Sequence, residues 1–513
     1  MTLQMIFVLV VVFASIYALI RNKMRQGMVL FSAASMLYVG GVLTSEELFM
    51  GFSNRGVATI ALLFLVSEGV KRTNVIIDAL KPLFPKDRAS ANGLYLRLLP
   101  NVALISSMLN NTPVVIIMAP VIKNWAAKLK VAASKYLIPL SYATILGGMC
   151  TLIGSSTNLV VHGMMLEAGY KGFTMYELGK VGIFIAVAGL IYLVLFSKYL
   201  LPDNGNISSE EELEGSQYIQ AVISERFPGI NKNVATFNFK RRFGATVCAI
   251  KRNGELIQGD LSEVVYQKND TIIIDADESF FKTWGSSSFF VVVIDGREHE
   301  PPPKKCRWLA IALLLFMCGG ALIGEHPAIR ELLPNVRLDM FFFALVTTII
   351  MAWAQLFPAK RYTKYISWDL LITIASAFAI SRALQNSGII DLVVSKVMGC
   401  VGSGGVSPYL LLAVVFVMTN LFTELITNNA AAALMFPIAV SVTTQFGLNP
   451  MPFFVAIAIA ASASFSTPIG YQTNLIVQSL GNYKYLDFVR IGLPLNIITF
   501  AISMTLIPWI WPF

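Results

Sequence analysis

Residues 104–118 read LISSMLNNTPVVIIM, and residues 421–435 read LFTELITNNAAAALM. Each segment carries adjacent amide and hydroxyl side chains, centred on Asn111 or Asn428, in the middle of an apolar stretch where a helix is expected to break. Within a bilayer, a broken helix is tolerated only where its freed backbone groups are buried in protein or line a cavity. We therefore predict re-entrant hairpins over residues 94–125 and 405–445, each with short legs and a polar tip.

The composition places both hairpins in a membrane. Of the 513 residues, 56% are hydrophobic and only 13% are charged, whereas soluble domains have about 25% charged residues. Apolar runs approach the roughly 20 residues that cross a bilayer. We predict a polytopic α-helical membrane protein with further spans at residues 3–20, 28–43, 56–70, 137–165, 179–201, 308–324, 339–357, 367–384, 450–480 and 489–511.

The two hairpins belong to a longer internal repeat. An offset of 313 to 317 residues pairs Asn111 with Asn428, and it also pairs the Thr-Asn-Leu motif at 157–159 with the one at 473–475. Each copy has five spans and one hairpin that returns to its own side, so the second copy must be inverted, as in many secondary transporters. We predict a first membrane repeat at residues 1–202, an inserted domain with linkers at 203–306, and a second, inverted membrane repeat at 307–513.

The charges predict the orientation. The insert has 12 basic and 16 acidic residues, and the remaining chain has 27 basic and 14 acidic residues. The predicted topology puts 20 of those 27 basic residues on the side of the insert, which is therefore expected to be cytoplasmic. We expect the chain to lie in the cytoplasmic (inner) membrane with both termini outside, and the acidic insert gives no reason to expect a nucleic-acid partner.

The insert is predicted to be a small α+β domain. Alternating residues predict a strand at 245–250, an Asn-Gly pair at 253–254 predicts a hairpin turn, and a second strand follows at 271–275. An acidic linker at 210–214 precedes this domain, and three prolines at 301–303 follow it. The domain is therefore expected to fold separately from the membrane spans.

Polar groups at four breaks are the candidate functional residues. The hairpin tips at 110–112 and 427–429 are each followed by a predicted interrupted span, at 154–158 and 470–474. Amide and hydroxyl oxygens can coordinate a dehydrated cation, while helix N-termini favour an anion. One site could therefore bind both ions. Glu424 lies in an apolar leg, where it could relay protons or form a hydrogen bond that packs helices.

Enzymatic chemistry is not expected. The five cysteines and three histidines lack metal-ligand spacing, and the chain has no P-loop, no dinucleotide-binding glycine motif and no HExxH motif. No cofactor is predicted. A ligand-gated ion channel is the alternative to a transporter, although no potassium-filter motif is present.

The tips and interrupted spans resemble the divalent anion/sodium symporter family, whose hairpin tips carry a Ser-Asn-Thr motif. This chain differs from that motif at Asn110, Thr427 and Asn429. The resemblance implies sodium as the coupling ion, with a first sodium site at Ser106, Asn110, Asn111 and Gly154, and a second at Thr423, Thr427, Asn428 and Gly470. It implies substrate contacts at Asn111, Thr112, Ser155, Asn428, Asn429 and Tyr471.

The insert resembles the TrkA-C module, the C-terminal ligand-binding (RCK) domain of potassium-conductance regulators, at residues 239–245 and 250–255. Symporters with such modules resemble the sulfate-transporting branch of the family. The resemblance implies sulfate or a similar oxyanion as substrate, a homodimer, and an unknown small cytosolic ligand at the insert. A C4-dicarboxylate symporter or exchanger is the alternative.

Overall fold

The computed structural model describes most of the chain. The described residues are 2–21, 24–53, 55–73, 80, 83–84, 93–204, 218–224, 226–252, 255–268, 270–276, 280, 283–284, 287, 289–295, 304–324, 338–389 and 407–513. Several predicted features lie outside this part, namely the acidic linker at 210–214, the Asn-Gly pair at 253–254 and the prolines at 301–303.

Helices dominate the chain on both sides of a central sheet. Before the sheet they are α1 (Leu3–Arg21), α2 (Gln26–Val39), α3 (Ser45–Phe49), α4 (Arg55–Arg72), α5 (Leu94–Met108), α6 (Asn111–Lys128), α7 (Ser134–Gly148), α8 (Ser156–Glu167) and α9 (Gly179–Leu200). Within the sheet region lie two short helices, α10 (Val234–Phe237) and α11 (Phe239–Phe243). After the sheet come α12 (Lys304–Gly324), α13 (Met340–Trp353), α14 (Trp368–Asn386), α15 (Pro408–Leu425), α16 (Asn428–Phe446), α17 (Met451–Ser462), α18 (Gln472–Gly481) and α19 (Tyr485–Ile510).

These helices make the chain a polytopic helical membrane protein. Among the described residues, five helical segments are long and apolar enough to cross a bilayer, at Ser45–Arg72, Gly179–Leu200, Pro408–Leu425, Asn428–Phe446 and Tyr485–Ile510. The prediction that all hairpin legs are short is wrong for α6, the 18-residue second leg of the first hairpin, and for both legs of the second hairpin. Its legs α15 and α16 have 18 and 19 residues, and a helix rises 1.5 Å per residue, so each measures about 27 Å or more.

The breaks occur where the polar sequences predicted them. Helix α5 ends and α6 begins around Asn110, and the corresponding break between α15 and α16 lies at residues 426–427. The predicted span at 137–165 is divided into α7 and α8, and the one at 450–480 is divided into α17 and α18. Each break therefore faces a helix N-terminus, at Asn111, Ser156, Asn428 or Gln472.

Packing between the helices is reciprocal. Helix α2 packs on α14 while α4 packs on α13, and α6 packs on α18 while α8 packs on α16. Within each hairpin region, α5 packs on α7 and α15 packs on α17. The first of these two contacts is close because a Cβ at Gly147 would overlap the carbonyl of Ala103. Helices α7 and α17 are almost entirely buried, so the broken spans occupy the centre of the helical bundle.

A five-stranded antiparallel sheet separates the two groups of helices. Its strands are β1 (Tyr218–Ile223), β2 (Thr246–Arg252), β3 (Glu255–Ile257), β4 (Thr271–Asp275) and β5 (Phe290–Asp295), in the order β3-β2-β4-β1-β5. Strands β2 and β4 correspond to the predicted strands at 245–250 and 271–275. Arg252 pairs with Glu255 across β2 and β3, the register that a two-residue hairpin loop requires.

The sheet has a core of its own and also touches the helices. Aromatic rings, including those of Phe227, Phe243 and Tyr266, pack together in that core. Val222 of β1, however, packs with the core of the helical bundle. On the same strand, Gln220 Oε1 accepts a hydrogen bond from Lys123 Nζ near the end of α6, at 3.0 Å. The sheet is therefore attached to the second leg of the first hairpin.

Candidate ion and anion site

At the tip of the first hairpin, oxygen atoms surround one buried amide. The side chain of Asn111 is 1% exposed and that of Ser106 is fully buried. The Ser106 hydroxyl and the Asn111 amide lie 2.8 Å apart. The carbonyl oxygens of Thr144 and Gly154 lie 2.8 and 3.1 Å from the same atom of the amide. Hydroxyl, amide and carbonyl oxygens are the ligands that a small hard cation prefers.

A half-turn of the Asn111 amide exchanges the places of its oxygen and its NH2 group, and the two orientations have different partners. In one, its NH2 donates to Ser106 Oγ and to the carbonyls of Thr144 and Gly154, and its oxygen accepts from the Tyr471 hydroxyl at 3.2 Å. In the other, its oxygen faces those carbonyls and its NH2 donates to Tyr471 at 3.2 Å. Facing oxygens repel one another, so the first orientation is the favoured one when no cation lies between them.

The second hairpin repeats this arrangement. Thr423 is fully buried, and its hydroxyl lies 2.9 Å from Asn428 Oδ1 and 2.7 Å from the carbonyl of Ala461. Asn428 is 3% exposed. Gly470 has no room for a side chain, because a Cβ there would overlap the carbonyl of Thr423 and the hydroxyl of Ser464. The chain after the break is thus pressed against the hairpin tip.

Two asparagines hold the interrupted spans open. Asn158 Nδ2 donates to the carbonyls of Gly148 and Thr151 at 3.0 and 2.8 Å. Asn474 Nδ2 donates to the carbonyls of Ser464 and Thr467 at 2.9 and 3.2 Å. Both amides satisfy carbonyl groups that the helix breaks leave without backbone partners. The repeated Thr-Asn-Leu motif therefore maintains the two breaks.

Polar groups from both hairpins meet in one cluster. The Tyr471 hydroxyl lies 3.1 Å from Ser155 Oγ and 3.2 Å from the amide of Asn111. Asn429 Oδ1 lies within 3.4 Å of the hydroxyls of Ser156 and Thr157 at the start of α8. The predicted substrate residues Asn111, Ser155, Asn428, Asn429 and Tyr471 are thus brought together, and their donors can bind an anion.

Three other predicted residues take different positions. Asn110 lines a small cavity beside the first tip with Ser156 and Ser67. Thr112 is half-buried in the first turn of α6. The Thr427 hydroxyl lies 2.5 Å from Gln26 Oε1 of α2, so this side chain links the second tip to another helix.

Glu424 lies near the end of α15 and bonds to two other elements. Its Oε1 accepts hydrogen bonds from the Ser466 backbone N–H and from Asn496 Nδ2, both at 2.8 Å. It therefore joins α15 to the interrupted span and to the last helix α19.

Sequence patterns missed several members of this site. The carbonyl of Thr144 and the hydroxyl of Ser464 lie among the predicted residues but outside the predicted breaks. Ser156 and Thr157 belong to the predicted break at 154–158, although no contact to the substrate was predicted for them. Thr144 contributes only a backbone oxygen, which its residue type does not reveal.

Comparison with known proteins identifies the family. A family model described as "Citrate transporter" matches residues 16–333 and 328–512. The chain belongs to the citrate transporter family. This membership makes it a transporter rather than an enzyme, and it confirms the predicted resemblance to divalent anion/sodium symporters.

Curated relatives of this family member extend over most of the chain. An uncharacterized transporter of Synechocystis is 29% identical over 91% of this chain and 90% of its own length. The transporter YfbS of Escherichia coli is 24% identical over 99% of this chain and its whole length. Sodium/sulfate cotransporter 1 of Chlamydomonas reinhardtii is 29% identical over 54% of this chain and 31% of its own length.

Proposed function

We propose that this chain is a sodium-coupled secondary transporter of a small divalent anion, with sulfate as the substrate. The observation that carries the proposal is the duplicated oxygen cluster, Ser106 with Asn111 and Thr423 with Asn428. Each cluster gives one cation site. The polar residues around Tyr471, which come from both hairpin regions, give the anion site. The ligands carry no formal charge, so two sodium ions supply the positive charge that the divalent anion needs.

The two groups of helices are proposed to form inverted repeats. Support comes from the reciprocal packing of α2 on α14 and of α4 on α13. Further support comes from equivalent hydrogen bonds in the two halves. Their residues are separated by 316 or 317 positions in the sequence, as Asn158 and Asn474 are. Symmetry of this kind permits alternating access to a central site.

One transport experiment decides between sulfate and a dicarboxylate as the substrate. The names of the Chlamydomonas relatives favour sulfate, whereas the family description favours carboxylates and supports a C4-dicarboxylate as the second candidate. Purified protein in proteoliposomes should take up labelled sulfate faster with an inward sodium gradient than without one. If the protein takes up succinate instead of sulfate under the same sodium gradient, a dicarboxylate replaces sulfate as the proposed substrate. Uptake that is indifferent to any ion gradient would indicate a channel.

Glu424 provides an alternative coupling route that the same vesicles test. Three results together would replace sodium coupling with proton coupling. Uptake would be unchanged when sodium is removed, a proton gradient would drive uptake, and Glu424→Gln would abolish uptake. Uptake that depends on sodium and does not respond to the proton gradient would support sodium coupling.

Tyr471 is proposed to donate its hydroxyl to the anion. The variant Tyr471→Phe should raise the half-saturating anion concentration about tenfold with little change in maximal rate, because losing one hydrogen bond costs about 1.4 kcal/mol. Tyr192→Phe is the matched control, since the buried Tyr192 hydroxyl donates to the Ile491 carbonyl at 3.1 Å outside the site. Equal anion affinities in the two variants would contradict this role.

The sheet region is proposed to be a cytoplasmic TrkA-C-like domain that regulates transport when a small cytosolic ligand binds. Its attachment supports a path to the transport site, because Gln220 and Val222 contact the helical bundle and Lys123 lies on the second leg of the first hairpin. The chain that leads to the sheet is also anchored, since Asn204 Nδ2 donates to the carbonyls of Gly481 and Asn482.

Replacing residues 206–295 with a flexible linker tests this regulation. We expect uptake to continue with an altered rate, because the proposed ion and anion ligands all lie outside the sheet. The variant Gln220→Leu, which removes only the bond to Lys123, should shift the rate in the same direction. A folded, membrane-inserted linker variant that cannot bind the anion would place the sheet in the transport site.

The remaining proposals concern the assembly and its location. We propose a homodimer in the cytoplasmic membrane, with the bilayer around the helices and the sheet region in the cytoplasm. Both termini are proposed to lie outside, since the basic residues concentrate on the side of the sheet. Cysteine accessibility on each side of the membrane would test this orientation.

A further inference from the structure

A cluster of polar residues around Glu424 distinguishes the second proposed cation site from the first. Other polar contacts at the breaks are equivalent: the Thr151 hydroxyl donates to the carbonyl of Ser107, and the Thr467 hydroxyl donates to the carbonyl of Glu424. Applying the repeat offset pairs three polar residues of the second site with smaller or less polar residues of the first. The pairs are Glu424 with Ser107, Ser464 with Gly148, and Ser466 with Cys150.

The position of Ser464 lies inside a cation site. At the equivalent position of the first site, a Cβ on Gly148 would lie 2.5 Å from Asn111 Oδ1 and 3.0 Å from the Gly154 carbonyl. The second site carries a hydroxymethyl group at that position. Its hydroxyl lies 3.3 Å from the Thr423 carbonyl and beside Gly470. Ser464 therefore adds an oxygen where the first site has only hydrogen.

The carboxylate of Glu424 can orient this hydroxyl. Glu424 Oε1 already accepts two N–H groups, and Oε2 lies 3.4 Å from Ser464 Oγ. A hydroxyl has one proton to donate and two lone pairs. When the Ser464 proton is directed to Oε2, the lone pairs are free to face a cation. Among the described residues, no lysine or arginine forms an ion pair with Glu424.

We propose that Ser464, oriented by the carboxylate of Glu424, is an additional ligand of the second cation site and makes the two sites bind sodium with unequal affinity. This inference rests on the proposed function. The second site has one more oxygen, and a negative charge lies behind that oxygen. An opposite charge held near a buried cation strengthens its binding, because the surroundings screen it less than water does.

Sodium titrations of purified protein in proteoliposomes test the inference. Ser464→Gly gives the second site the residue of the first, and it should raise the half-saturating sodium concentration for uptake about tenfold, the effect of losing one charge-assisted contact of about 1.4 kcal/mol. The maximal rate at saturating sodium should be retained. Glu424→Gln should change sodium affinity in the same direction, since it keeps an oxygen for Ser466 and Asn496 but removes the charge.

Two further variants distinguish a ligand from a packing residue. Ser464→Thr keeps the hydroxyl and should restore sodium affinity close to that of the unmodified protein. Ser479→Ala removes a serine of α18 whose hydroxyl bonds within its own helix, to the Leu475 carbonyl at 3.1 Å, and it should have no effect. The half-saturating sulfate concentration, measured at saturating sodium, should stay the same in all four variants.

The outcomes separate this inference from the proposed function. An unchanged sodium titration in folded Ser464→Gly protein, within twofold of the unmodified protein, overturns the role of Ser464. Equal losses of maximal rate in Ser464→Gly and Ser464→Thr overturn it as well, because they indicate a packing role. Absence of sodium-dependent uptake in the unmodified protein overturns the proposed function itself.

Discussion

Replacing Asn111 or Asn428 with alanine should abolish sodium-coupled anion uptake while the protein still inserts and folds. Each amide lies against the buried hydroxyl of its own tip, and the Asn111 amide also meets the Tyr471 hydroxyl. Its oxygen can face sodium while its NH2 donates to the anion, so alanine removes a contact to both ions. Hydrogen bonds to charged groups contribute about 1.5–3 kcal/mol each, so the loss of two such contacts predicts a decrease in uptake of 100-fold or more.

The control for this prediction lies on the first hairpin. Asn101 is exposed on α5 and its amide donates only to the Arg97 carbonyl of the same helix, so Asn101→Ala should transport normally. Uptake is measured at equal amounts of inserted protein, and thermal unfolding is followed for each variant. Uptake rates in Asn111→Ala and Asn428→Ala equal to that of Asn101→Ala would exclude both amides from the ion sites.

Gly470→Ala should have an effect of similar size through a different cause. A Cβ at Gly470 would overlap the Thr423 carbonyl and the Ser464 hydroxyl, both of which surround the second proposed cation site. Either the interrupted span moves away from the hairpin tip or the serine side chain turns away. Since an oxygen site needs ligands at well-defined distances, displacement by a few tenths of an ångström should weaken sodium binding by 100-fold or more.

The matched control is another helical glycine with free space around it. A Cβ at Gly319 in α12 would meet no atom within 4 Å, so Gly319→Ala should bind sodium normally. Sodium binding to the purified variants, followed by protection from thermal unfolding, measures the effect directly. Equal protection of Gly470→Ala and Gly319→Ala by sodium would show that Gly470 does not shape a cation site.

Most of the helical organisation could be predicted because its signals are local. Apolar runs fix where helices cross, and the predicted spans at 179–201 and 308–324 correspond closely to α9 and α12. The polar breaks were equally visible, since amides and glycines interrupt those runs. The length of the second hairpin was predicted wrongly because the break at 426–427 was taken to shorten both legs, whereas each leg remains a continuous helix of 18 residues or more.

The candidate site could be predicted only in part. Asn111, Asn428 and their neighbours stand out because amides are rare in apolar segments, and the repeat doubles that signal. The carbonyl of Thr144 gives no such signal, since every residue has one. Thr427 carries a suitable hydroxyl, but its direction towards Gln26 depends on how α2 approaches the second tip, which no local pattern specifies.

The sequence by itself determined the membrane class, the positions of the breaks and the residues at the two tips, because hydrophobic length and helix interruption depend on neighbouring residues alone. Only the tertiary structure decided which groups share one site. It brought Tyr471 to Ser155, a contact across 316 residues, and placed Ser464 beside Gly470 with Glu424 behind it. Such contacts depend on how separate helices pack, and packing is set by the shapes of all the surfaces together.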